Sequence, residues 1–276
     1  MQPQETQFET SDADPATFEH ILCAVDGSRG SKVAVEQALT LAGPAGVTFI
    51  AVTDVRGSGA MHMATLGPQH AEEALARAEA AAKDAGVETS SILRHADDVR
   101  DALLEQARHY DLLVLGTHGA KRRAGVLLGD IAATALHRSP VAVLLARPAP
   151  FGKSFPTGVL LATDGSPSTH TAAEAAAGIA RRHGASITLL HAGFGAPDVR
   201  RGLVEQQALL AGRTGVEPPI LELPGSVAHV IVETAHDLSA SLILIGSRML
   251  TGIRSLGSVS ERVGQTAPCS VLVLRG

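Results

Sequence analysis

The sequence contains no tryptophan, and aromatic residues make up only 3% of it. Stacked rings therefore cannot build the core, and burial must come from Val, Leu, Ile and Ala, a composition that suits parallel strands covered by Ala-rich helices. Cysteine is almost absent: Cys23 and Cys269 are the two in the chain, inside the apolar runs 21–25 and 269–273. That placement argues against a disulfide framework and reads as buried, reduced thiols of a cytosolic protein. There is no basic excess, because the formal net charge is -5, so the chain lacks the positive charge that neutralises a nucleic-acid backbone. No segment approaches the roughly 18 uninterrupted apolar residues of a membrane span, and the polar, acidic start 1–18 has no cationic-then-apolar signal. The expectation is a soluble, cytoplasmic protein with neither nucleic acid nor membrane as partner.

What the chain does have is repetition. Its 276 residues exceed the usual single-domain size, and the strand ending Ala24-Val25-Asp26-Gly27-Ser28 returns as Ala162-Thr163-Asp164-Gly165-Ser166. Gly116 then matches Gly246, Gly129 matches Gly257 and Pro140 matches Pro268, in the same order. An ordered series of this kind indicates duplication. Helix faces repeat as well: Val99, Leu103, Ala107 and Tyr110 share their spacing with Val227, Ile231, Ala235 and Leu238, each set forming one apolar stripe. The organisation read from this is a disordered tail over 1–17, a first domain over 18–147, a Pro-rich linker over 148–156 and a second domain over 157–276. The linker's two phenylalanines are candidates to pack against a domain.

Within the first domain the pattern predicts strands near 20–25, 47–53, 88–94, 112–116 and 141–146, with helices near 29–42, 68–85, 99–110 and 129–138. The second gives strands near 158–163, 186–191, 220–223, 242–246 and 270–274, with helices between them, the second being shorter. Alternating strands and helices imply right-handed crossovers. The predicted fold class is α/β, two tandem doubly wound domains, each a five-stranded parallel sheet with helices on both faces. Ligands then belong beyond the carboxyl ends of the strands.

One loop carries the chemistry. The strand ending at Leu115 runs into Gly116-Thr117-His118-Gly119, and nine residues separate Gly119 from Gly129-Asp130 at the start of an apolar helix. Glycines let backbone N–H groups approach phosphate oxygens, and the free donors of a helix start attract anions. Lys121, Arg122 and Arg123 add positive charge inside the loop. Read alone, the same residues equally describe a strand-to-helix turn with a solvated basic tip.

The spacing Gly-x-x-Gly, nine residues, Gly resembles the phosphate loop of ATP-binding universal stress proteins, and the resemblance covers roughly 18–147 and 157–275. Val25-Asp26-Gly27-Ser28, Ala51-Val52-Thr53-Asp54, Leu256 to Val263 and Ala267-Pro268-Cys269 fit the same family. It implies an adenine nucleotide alpha hydrolase-like fold that binds ATP, with Mg2+ as the accompanying ion. Asp26 and Asp164 then fall where a carboxylate meets the ribose or adenine, and Val52 and Ala192 where the backbone reads the adenine edge. The other implied nucleotide-binding positions are Ala24, Val25, Gly116, Thr117, His118, Gly119, Gly129 and Asp130 in the first half. In the second they are Ala162, Thr163, Gly246, Ser247, Arg248, Gly257, Ser258, Val259 and Ser260. A bland alternative is that both aspartates merely cap their turns.

Both halves depart from the family pattern. Asp130 stands where a hydroxyl is expected, and an ionised carboxylate repels a phosphate by on the order of 4 kcal/mol at 4 Å and an effective dielectric of 20. Only a bridging divalent ion or outward rotation relieves this. The second half keeps Gly257-Ser258 but has Met249 for the second glycine and a loop two residues shorter, so the two sites are expected to be inequivalent.

Other candidates lose to plainer readings. Met61-His62-Met63 with His70 offers copper ligands but fits a loop better, and no metal site is assigned. His109, His137, His183 and His236 fall near helix ends, where imidazole meets the last carbonyls. Asp97-Asp98 and Ser226 read as helix caps.

Three functions compete at this point. The first is a noncatalytic nucleotide-responsive module with an unknown protein partner, to which the family resemblance adds a role in stress adaptation; slow ATP hydrolysis remains open within it. The second is a dimerisation scaffold that has lost nucleotide binding. The third, a nucleotidyltransferase or ATP pyrophosphatase, lacks the His-x-Gly-His and Ser-Gly-Gly-x-Asp-Ser signatures. The final strands 141–145 and 271–274 would expose unpaired edges if left bare. The resemblance implies that they pair, giving an intramolecular pseudo-dimer, with a homodimer of two chains as the alternative.

Overall fold

The computed structural model describes residues 18–54, 67–117, 128–247 and 259–275; the expected tail lies outside them. The N-terminal half runs β1 (Ile21–Ala24), α1 (Arg29–Leu41), β2 (Val47–Asp54), α2 (Pro68–Ala85), β3 (Thr89–Ala96), α3 (Val99–Ala107), β4 (Leu112–Gly116), α4 (Asp130–Arg138) and β5 (Ala142–Ala146). The C-terminal half repeats it as β6 (Gly158–Ala162), α5 (His170–His183), β7 (Ser186–Ala192), α6 (Pro197–Thr214), β8 (Ile220–Leu223), α7 (Val227–Asp237), β9 (Leu242–Ser247), α8 (Val259–Thr266) and β10 (Ser270–Arg275).

Strands such as Leu112–Gly116 and Ala142–Ala146 are aliphatic at nearly every position because both of their faces are covered. Alternate side chains serve opposite layers: Ile21, Cys23 and Phe49 pack with α1 and α2, whereas Leu22, Ile50 and Leu113 pack with α3 and α4. The same division holds for α5 and α6 against α7 and α8. Small alanines let the helices sit close to the sheet. Both cysteines are buried free thiols; burial pushes the Cys23 thiol up, and the Cys269 thiol up to about 12.

The halves share one sheet of ten strands, in the order β3-β2-β1-β4-β5-β10-β9-β6-β7-β8. Pairing is parallel within each half and antiparallel at the join of β5 to β10. At that join Leu144 faces Leu272, flanked by Leu145 opposite Val271 and Val143 opposite Val273. Leu144 and Leu272 each lie four residues after the matching prolines, so the join runs about a pseudo-twofold axis, and the final strands meet within one chain. Because the strands of the two halves run in opposite senses, their carboxyl edges face opposite sides of the sheet.

Two expectations need correction. The second helix of the C-terminal half is not shorter: α6 and α2 both have 18 residues. The shortening falls instead on the connection before α6, residues 193–196, whose counterpart spans 55–67. The third helix of the first half ends at Ala107 rather than 110, because the amides of Arg108, His109 and Tyr110 turn to carbonyls three residues back. Of the linker phenylalanines, Phe155 packs partly buried against the core.

Val143 and Val273 are fully buried at the join. A buried, unpaired charge costs several kcal/mol, a large share of the roughly 5–15 kcal/mol that holds a domain together. Val143→Asp or Val273→Asp is therefore expected to loosen the halves and speed tryptic cleavage at Lys153. A larger oligomer that became a compact monomer, with unchanged cleavage, would instead mean that these strands pair between chains.

Candidate functional site

In the order β3-β2-β1-β4-β5 the chain leaves β1 to one side and returns as β4 on the other. Crossover helices on opposite faces diverge there, opening a crevice beyond the carboxyl ends of β1 and β4. Ala24 ends β1, and Val25 follows it, buried, with its amide bonded to Ile50 O at 2.9 Å. Asp26 comes next. Its Oδ1 accepts from Ser28 N at 2.9 Å, and its own amide donates to Ser31 Oγ at 3.3 Å. The turn needs Gly27, whose φ is +73°. Val52 is buried in β2 opposite Arg94 of β3.

Gly116 ends β4. A Cβ there would lie 2.7 Å from Gly30 C and 3.0 Å from Ser31 N, so the glycine lets the start of α1 close against β4. Thr117 is buried, and its carbonyl accepts from Gly129 N at 2.8 Å. That bond brings the start of α4 beside the end of β4. Gly129, at the N-cap of α4, has no side chain to occupy the first amides, leaving a helix start that favours anions.

Asp130 opens α4 and points its charge at α3. Its Oδ2 lies 3.0 Å from Arg100 Nη1, and Arg100 also grips Asp98 at 2.6 Å. The outward orientation that would relieve repulsion of a phosphate is therefore met by an ion pair. Asp98 is the N-cap of α3, accepting from Arg100 N and Asp101 N. Hydrogen bonds from the Arg100 guanidinium and these amides hold its carboxyl well below the usual range. The same pairing pushes the Arg100 guanidinium up.

The C-terminal half repeats the frame with different side chains. Ala162 ends β6, and Thr163 N bonds Leu190 O at 3.0 Å, as Val25 does in the first half. Asp164 Oδ1 accepts from Ser166 N at 3.0 Å. Where Val25 is apolar, Thr163 anchors a buried network: its hydroxyl donates to Gln206 Oε1 at 2.8 Å, and Gln206 Nε2 donates to Thr169 Oγ1 at 2.7 Å. Ala192 ends β7, and Gly246 and Ser247 end β9 beside Leu274 and Arg275. Val259 and Ser260 form the first turn of α8, with Ser260 buried.

The geometry now has a known counterpart. The model of the universal stress protein family matches residues 17–147 and again 157–275. The chain belongs to the universal stress protein family. A universal stress protein of Mycolicibacterium smegmatis is 29% identical over 292 residues, spanning 94% of this chain and 98% of that protein. Universal stress protein YxiE of Bacillus subtilis is 31% identical over 144 residues, covering 42% of this chain and 97% of its own length. Among solved structures, a universal stress protein from Archaeoglobus fulgidus superposes with a TM-score of 0.75 at 22% identity, over 93% of this chain and 98% of that one. That likeness concerns the fold.

Against the universal stress protein pattern, the structure brings Ala24, Val25, Asp26, Gly116, Thr117, Gly129 and Asp130 to one carboxyl edge, with Val52 one strand away. It brings Ala162, Thr163, Asp164, Ala192, Gly246, Ser247, Val259 and Ser260 to the other. His118, Gly119, Arg248, Gly257 and Ser258 lie outside the described residues, as do Lys121, Arg122, Arg123, Met249 and the Met61-His62-Met63 stretch. Both aspartates do cap their turns, each through Oδ1. Ser226 sits at the N-cap of α7 but makes no side-chain capping bond.

Sequence reasoning missed Arg100 and Arg77. The first faces Asp130 across thirty positions; the second, on α2, brings its guanidinium over the Gly27 turn. Charge at a helix cap was the available signal for Arg100. For Arg77 there was none, because it is one polar residue among several on α2.

Replacing the Asp98 cap with alanine is expected to cost about 1 kcal/mol, read by chemical denaturation at pH 7. Because hydrogen bonding lowers the pKa of Asp98 in the folded state, its contribution is present above about pH 4 and fades as pH falls through the folded value. The wild type and Asp98→Ala should therefore converge in stability below that range, and a gap that persisted there would point to packing instead.

Proposed function

We propose that this chain is a noncatalytic, adenine-nucleotide-responsive regulator of stress adaptation, binding ATP with Mg2+ at its carboxyl edges and passing occupancy to a protein partner in the cytoplasm. One observation carries the reading: Gly129 is tied to Thr117 O, so an anion-favouring helix start lies directly beyond the switch point flanked by Asp26. Family membership supports the same placement. An adenosine moiety set toward Asp26 and Val52 would direct its phosphates to α4. Loops that close on phosphate would change the surface offered to a partner, so occupancy would become partner affinity. The reduced, buried thiols suit a cytoplasmic setting.

A second reading has its own support. Asp26 and Asp164 already accept turn amides, and the sheet join is extensive, as a scaffold that had lost nucleotide binding would require.

Calorimetric titration with ATP and Mg2+ separates the two. Saturable binding that Asp26→Ala weakens about tenfold, with unchanged circular dichroism, is the expected result; roughly 1.4 kcal/mol corresponds to that factor. An absence of binding at millimolar nucleotide would favour the scaffold. Asp130→Ser should tighten binding, since it removes a carboxylate beside the helix start and leaves Arg100, still held by Asp98, with one counter-charge fewer. Unchanged or weaker affinity would mean that the turn of Asp130 toward Arg100 already relieves the repulsion, or that the carboxylate holds the ion.

A further inference from the structure

The β5–β10 join is symmetric in its strands and unsymmetric around them. Counting from Pro140 and Pro268, Leu136 corresponds to Gly264, Ala142 to Ser270 and Arg147 to Arg275. Counting from Gly27 and Gly165, Gln37 corresponds to Ala175. The arginines obey the pseudo-twofold: Arg147 Nη2 donates to Gly264 O on α8, and Arg275 Nη2 donates to Leu136 O on α4. Each half thus supplies a cation to the carboxyl end of the other's last helix, where the carbonyls attract it.

The neighbouring positions do not obey it. A Cβ at Gly264 would sit 2.7 Å from Leu136 Cδ1 and 3.2 Å from Leu145 Cδ1; Leu136 is a knob and Gly264 its notch. Buried Gln37 donates to Arg147 O at 2.7 Å, and its Oε1 accepts from Ser270 Oγ of the other half at 2.8 Å. Ser270 Oγ also accepts from Arg147 N at 3.0 Å.

We propose that these one-sided contacts commit the seam to heterotypic pairing, so that the N-terminal half accepts the C-terminal half and neither accepts a copy of itself. Two N-terminal halves placed in the same geometry would set Leu136 against Leu136, where the observed structure has no room for a single Cβ. They would also replace Ser270 by Ala142, leaving Gln37 Oε1 and the Arg147 amide buried without that hydroxyl. Two C-terminal halves would set Gly264 against Gly264, leaving a void, and Ser270 against Ala175. Both like-with-like pairings are penalised, by different means, which is how specificity between near-identical surfaces arises. The linker suits pairing in cis. The end of β5 and the start of β6 lie on one edge, three strand spacings or about 14 Å apart, and residues 147–157 reach that distance with slack.

Two experiments test this on the full chain. With a specific protease site placed in the linker, the folded protein is cut and diluted, and its fragments are weighed by native mass spectrometry. Pairs of one N-terminal and one C-terminal fragment are expected; homodimers of either fragment, or free fragments, would overturn the proposal. Thermal unfolding supplies the second. Gly264→Ala should lower Tm in the wild-type background, where Leu136 fills the notch, but lower it less or raise it in Leu136→Ala, where the helix gains alanine and only the 3.2 Å contact with Leu145 Cδ1 remains. A fall of equal size in both backgrounds would show that the knob and notch do not couple, and the proposal would fail.

Discussion

Antiparallel pairing of β5 with β10 is the constraint from which the rest of the molecule follows. Each half, taken alone, would end in an aliphatic strand with one row of unpaired backbone groups, an edge prone to adventitious association. Joining the two edges satisfies both rows at once and extends two layers of core across the seam, since Leu144 and Leu272 share one layer and Val143, Leu145, Val271 and Val273 the other. The join also dictates where chemistry can occur. Opposed strand directions send the two carboxyl edges to opposite sides of the sheet, so the candidate crevices cannot share a ligand, and any communication between them must cross the seam.

Electrostatics at the first crevice are arranged around helix ends rather than around a buried charge. Asp98 caps α3, Arg100 bridges Asp98 and Asp130, and Arg138 reaches Asp101 at 3.1 Å. These pairs are largely exposed, so each contributes little to stability. Their effect is positional: they hold α3 and α4 side by side and turn the Asp130 carboxylate toward α3. The second crevice has a different interior, where Thr163, Thr169 and Gln206 form a hydrogen-bonded cluster behind the Asp164 turn. Such a cluster is tolerated because its polar atoms are paired with one another.

Much of this was legible beforehand because duplication and periodicity are local signals. Strands such as 112–116 and 242–246 are short, continuous aliphatic runs, and the Gly27 and Gly165 turns announce themselves by a carboxylate and a glycine after a strand. The length of α6 was misjudged because its apolar face is sparse, with Gly202 and Gln206 among its buried positions. Neither contributes to a hydrophobic stripe, although both pack: Gly202 lies against the Gly165 turn and Gln206 bonds into the threonine cluster. A helix packed through a glycine contact and a buried amide leaves little trace in an apolar pattern.

By itself, the sequence determined that there are two α/β repeats, that their cores are aliphatic, and which glycines and aspartates stand at strand ends, because these depend on residues close together along the chain. Only the tertiary structure decided how the repeats meet, that Arg100 takes up Asp130, and that Leu136 lodges against Gly264 while Gln37 meets Ser270. Those contacts join residues from 30 to more than 200 positions apart, and each depends on side-chain geometry at a few tenths of an ångström. No periodicity encodes such a fit; it exists only once the sheet has brought the two final strands together.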